Sequence, residues 1–124
     1  MQSQGTFILE SREVTSYLTQ TKANFPSINT ILLLDKVGKV CASSGPAVDS
    51  LSVATLANTI WRSCESQIVL EFPHEEVQAQ FIYLDNMIVL SYKLGSCLLC
   101  IEFAKDVEVG LMNSIASSIA GHWP

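Results

Sequence analysis

Charge is scarce in this sequence. Only 15% of its 124 residues are charged, and only two of those are arginine, Arg12 and Arg62. The seven Lys and Arg residues form no cluster, and the net charge is −5. A nucleic-acid binder displaces phosphate counterions with a basic stripe, so this scarcity excludes nucleic acid as a partner. It also argues against direct docking on anionic lipid. Long apolar runs are missing too. Ile31 to Leu34 and the stretch around Ile101 fall far short of the roughly 20 residues that span a bilayer.

Targeting signals are absent as well. Met1-Gln-Ser-Gln-Gly-Thr has no basic segment followed by an apolar one, so no signal peptide is expected. Gly5 stands too late for myristoylation, and no cysteine sits where prenylation requires it. The expectation is a soluble intracellular chain with reduced thiols and no direct membrane insertion. Neither G-x-x-x-x-G-K-[ST] nor G-x-G-x-x-G occurs, so no nucleotide cofactor is expected.

Apolar residues, by contrast, make up 48% of the chain. That and the length fit one compact domain over residues 1–124, with 1–8 as a short loose tail. A first helix is expected over about 11–24. Ser11 can cap it, Glu13 sits in its first turn, and Val14, Tyr17, Leu18 and Thr21 form one stripe. Asn29 to Leu34 and Lys39 to Ser43 read as strands joined by a tight turn at Asp35-Lys36-Val37-Gly38. Ser44-Gly45-Pro46 ends this hairpin. A second helix, about 51–66 and capped by Asp49 or Ser50, carries a wide stripe of Val53, Leu56, Ala57, Ile60, Trp61 and Cys64. Strands follow at Val77 to Leu84, Met87 to Leu94 and Cys97 to Ala104. A last helix is capped by Asp106, carries Val107, Leu111, Ile115 and Ile119 on one face, and ends near Gly121.

The order is α-β-β-α-β-β-β-α, an α+β chain, and its short turns demand an antiparallel sheet. Alternate strand residues face opposite sides. The first and last strands are apolar at both parities, so both lie centrally, covered on two faces. The second strand, with Lys39, Ser43 and Ser44, reads as an edge. The third alternates Phe81 and Tyr83 with Ile82 and Leu84, and Gln78 and Gln80 fill the rest. An apolar edge of this kind templates pairing unless a partner covers it.

No catalytic constellation emerges. Cys97 and Cys100 have C-x-x-C spacing, but on a strand they face opposite sides with Cα atoms about 10 Å apart. A disulfide needs less than about 7 Å. No second C-x-x-C and no H-x₃₋₅-H supplies further zinc ligands, so no metal is expected and both thiols read as buried hydrophobes. Cys41 and Cys64 read as packing residues. His74, beside Glu75 and Glu76, reads as part of a solvated acidic turn, and His122 lies near a helix C-terminus. Trp61 fits a core position and an interface anchor equally well.

The stretch "INTILLLDKVGKVCASSG", the helix capped at Asp49 and "MIVLSYKLGSCLLCIEFAKDVEVGLM" together resemble the roadblock/LC7 family over residues 14–120. "LANTIW" and "GSCLLCIEFAKDVEVGLM" resemble the roadblock subunit of the lysosomal Ragulator adaptor and its fungal vacuolar EGO counterpart. Against that subunit, the N-terminus is about eight residues longer and Glu102-Phe103-Ala104 one residue longer. The resemblance implies a longin/profilin-like fold with sheet order 2-1-5-4-3, one helix on one face and two on the other. It implies pairing with a second roadblock subunit, as heterodimer or homodimer, through Leu56, Thr59, Ile60, Ser63, Gln80, Phe81, Ile82 and Tyr83. It further implies a non-catalytic scaffold for Rag- or Ras-like GTPases. A lipidated anchor subunit would hold the complex on a lysosomal, late endosomal or vacuolar membrane, in nutrient signalling to the TOR kinase. The family also includes homodimeric GTPase regulators and dynein light chains.

Overall fold

The computed structural model describes residues 11–45 and 47–123. The expected tail over 1–8 and Pro46 lie outside the described residues, as do the cap side chains of Ser11 and Asp49. The elements are α1 (Ser11–Asn24), β1 (Ile28–Leu34), β2 (Val40–Ser44), α2 (Ala47–Glu71), β3 (Ala79–Tyr83), β4 (Met87–Leu94), β5 (Cys97–Ala104) and α3 (Val109–Gly121). The five strands form one antiparallel sheet in the order β2-β1-β5-β4-β3.

Two cores sandwich this sheet. On one face Ile31, Leu33, Leu99, Ile101 and Phe103 pack with Val14 and Leu18 of α1 and with Met112, Ile115 and Ile119 of α3. On the other, Leu32, Leu34, Val89, Leu98 and Cys100 pack under Val53, Ala57 and Trp61 of α2. The parity argument for central β1 and β5 therefore holds. Burying each of their large side chains is worth roughly 1.5–3 kcal/mol, which fixes the register. Among the described residues Glu102 is the one buried carboxylate, and it accepts a hydrogen bond from Asn29 Nδ2 at 3.2 Å.

Several boundaries differ from expectation. The second helix runs from Ala47 to Glu71, not from 51 to 66. Ser50 lies inside it, buried, and so does not cap it. No glycine or proline interrupts the chain between Ala47 and Pro73, so the helix continues until Phe72 turns away. The third strand is shorter than 77–84, because residues 75–77 leave the ladder before Ala79. The last helix starts three residues after Asp106. Glu108 is its N-cap residue and makes no side-chain cap bond. Its buried face carries Met112, Ile115, Ala116 and Ile119, whereas Leu111 is exposed.

Candidate subunit interface

The two edges of the sheet are β2 and β3. On β3, the Gln78 carbonyl accepts from Lys93 N–H, and Leu84 N–H donates to the Met87 carbonyl, both at 2.9 Å. Even-numbered residues therefore bond to β4. The backbone N–H and C=O groups of Ala79, Phe81 and Tyr83 point to the open edge. Among the described residues, that edge is a row of unused donors and acceptors beside apolar side chains.

The α2 flank lies next to it. Leu56, Ile60 and Ser63 follow one another at helical spacing on one side of α2. Leu56 and Ile82 are both partly buried against the core under α2. Gln80 shares this face, and its amide Oε1 is buried with no partner among the described residues. Phe81 packs on the opposite core, beneath α1 and α3. Tyr83 projects from that same face, 61% exposed, with its ring 6.5 Å from that of Phe81. Thr59 lies on the exposed side of α2, lining a shallow groove with Leu51, Thr55 and Leu56. A strand laid on β3 would thus touch both groups at once.

Other candidates fall elsewhere. Cys97 and Cys100 do face opposite cores. Cys100 is fully buried, and burial pushes its thiol up to about 12. Cys97 is only half-buried, because it begins its strand beside the Gly95-Ser96 turn. Trp61 is 6% exposed and belongs to the core under α2. His74 is exposed, and among the described residues no three His, Cys, Asp or Glu side chains gather to hold a metal. Among them, no helix is long and apolar enough to cross a membrane.

Sequence reasoning missed the far end of α2. Val69, Leu70 and Phe72 are exposed there, beside a groove closed by residues 75–77. The run Ile68-Val69-Leu70 was the available signal.

No family model matches the chain. Solved structures do. MglB of Myxococcus xanthus superposes with a TM-score of 0.77 at 18% identity, over 90% of this chain and 85% of MglB. A roadblock/LC7 domain from Streptomyces avermitilis superposes with a TM-score of 0.70 at 17% identity, over 87% of this chain and 95% of that one. This chain has the roadblock/LC7 fold. The fold is shared more widely: Schizosaccharomyces pombe profilin fits at 0.64 and 11% identity, over 88% and 94% of the two chains. Within the roadblock/LC7 fold, function has to be argued from the surface and not from the scaffold.

Proposed function

We propose that this chain is a non-catalytic scaffold subunit that pairs with a second roadblock-type chain and, as a pair, holds a small Ras-like GTPase. One observation carries the reading: the β3 edge offers the unpaired backbone of Ala79, Phe81 and Tyr83 next to the apolar flank of α2. A partner presenting the same edge would extend the sheet across both chains and cover Leu56, Ile60 and Ile82. In its finer form, the pair belongs to a Ragulator- or EGO-like complex that recruits Rag-type GTPases to the lysosomal or vacuolar membrane. Membrane attachment then comes from a lipidated partner. The resemblance of "LANTIW" and of the stretch after Gly95 supports that form.

The fit to bacterial roadblock folds favours a second reading, a homodimeric regulator of a Ras-like GTPase. Such a regulator would act by positioning the GTPase's own residues, since this chain has so little arginine to offer as a finger. Affinity purification from the native cell, with mass spectrometry of the partners, separates the two. A second roadblock chain together with a Rag-type GTPase supports the first reading. Recovery of copies of this chain alone with one Ras-like GTPase, whose hydrolysis it accelerates, supports the second. A monomer that captures neither removes both.

A further inference from the structure

The register brings three segments to one end of the sheet. Leu34 pairs with Leu98, Leu94 with Cys97, and Lys93 N–H bonds to Gln78. The 35–39 turn, the 95–96 turn and residues 75–78 therefore lie side by side. Above them runs the surplus of α2. Its 25 residues span about 37 Å, whereas the 8 residues of β5 span about 26 Å. Beside this overhang opens a groove of about 670 Å³, with Ile68, Val69, Leu70 and Val77 as its apolar lining and Glu65 and Glu75 as free carboxylates. A smaller groove of about 300 Å³ shares Glu65 and Lys93 with it and reaches Asp35 and Lys36.

The 35–39 turn has the complementary chemistry. Val37 is 70% exposed between Lys36 and Lys39. Among the described residues, no other large exposed apolar side chain has lysine within two positions on each side. The turn is stiff. Asp35 Oδ1 accepts from the N–H groups of Val37 and Lys39, both at 2.9 Å, and Gly38 takes φ +92°. Such a tip loses little freedom on docking. Among the described residues the one ion pair is Lys93 with Glu76, which leaves Lys36, Lys39, Glu65 and Glu75 without an opposite charge in contact.

We propose that the groove beside the α2 overhang receives the Lys36–Lys39 tip of a second copy of this chain, Val37 entering among Ile68, Val69 and Val77 while the lysines face Glu65 and Glu75. Tip and groove sit at the same end of the sheet. A twofold axis between them therefore makes the contact reciprocal, each copy giving one tip and taking one. The groove begins at Val77, two residues before β3, so pairing through β3 has to be removed for this contact to be read alone. The contact is small and charge-guided, hence weak and salt-sensitive.

Sedimentation velocity of the full chain tests this in an Ala79→Pro background. Ala79 N–H faces the open edge, so proline there obstructs β3 pairing without removing a ladder bond. Failure of the β3 reading and failure of this one are thereby distinguishable. The expected result is a monomer–dimer equilibrium weakened about tenfold by a tenfold rise in salt. Val37→Asp should abolish it with unchanged circular dichroism. Lys39→Glu and Glu75→Lys should each weaken it about tenfold, and their combination should restore it. Persistent monomer in the Ala79→Pro background overturns the proposal. So does parent-like association of Val37→Asp, a double variant without recovery, or a groove that takes only a foreign basic peptide while the chain stays monomeric.

Discussion

The two edges of this sheet solve the same problem in opposite ways. β2 has five residues, as many as β3, but it ends in Ser43 and Ser44, and α1 packs along it. Its ladder with β1 is irregular where Cys41 falls between the partners of Leu33 and Leu34. A bulge of this kind bends an edge out of reach of another strand. β3 has no such defence. Its ladder to β4 is regular, its side chains are apolar except for Gln80, and among the described residues its outer backbone groups are unused. One edge is built to stay alone, and the other is left fit for company.

The largest expected effect is on the closed edge. Gly45 turns the chain off β2 with φ +135°, and a Cβ there would come within 2.8 Å of Thr30 Oγ1. Gly45→Ala should cost about 2–3 kcal/mol in urea denaturation, because both the backbone region and the space belong to glycine. A loss below about 0.5 kcal/mol would show that the β2 end relaxes freely. Next comes the open edge. Tyr83→Asp should leave monomer stability within about 0.5 kcal/mol, since the side chain is mostly exposed, yet weaken pairing with a roadblock partner by about tenfold or more. Equal affinity by titration calorimetry would move the interface off β3.

The smallest effect concerns the centre, against which both edges are measured. Burial raises the Cys100 thiol to about 12, so the folded state keeps a proton that the unfolded chain releases near pH 9. This stability is fully present below that pH and fades as pH rises toward 12. The loss is about 1 kcal/mol by pH 10, and Cys100→Val should remove that dependence. In the native state at neutral pH, Cys100 should also be alkylated far more slowly than Cys41, the half-buried thiol of the β2 edge. Equal rates, read by mass spectrometry, would show that the sheet opens as readily at its centre as at its margin.

How much was legible depended on whether the signal was local. Parity within β1 and β5 revealed burial on both faces, and turns at Gly38 and Gly95 fixed the hairpins. Both are nearest-neighbour facts of sequence. The phase of α3 was harder. Val107, Leu111, Ile115 and Ile119 make an acceptable stripe, but packing on β4 and β5 selects Met112 and Ala116 in place of Leu111. The ends of α2 differ from expectation for a related reason: Asp49 and Ser50 are good cap residues by type, but the chain is already helical from Ala47. On the candidate interface, sequence alone marked β3 as uncovered. Alternation put Phe81 and Tyr83 across the sheet from Ile82, but it did not show that Leu56 and Ile60 of α2 share the Ile82 side. The groove at the sheet end is lined by the end of α2, residues 75–77 and Lys93, up to 28 residues apart, and no periodicity reports on that.

Gly38 has one more consequence. A methyl group at that position would sit 2.5 Å from Asn58 Nδ2, and Asn58 Oδ1 in turn accepts from Arg62 Nε at 3.2 Å. Positions 38 and 58 are sterically a single site. Under mutational drift they are expected to change jointly, a larger residue at 38 being tolerable only with a smaller one at 58 and a backbone that gives up its positive φ. The tip of the first hairpin and the middle of the longest helix thus share one hereditary constraint, although 19 residues of sequence lie between them.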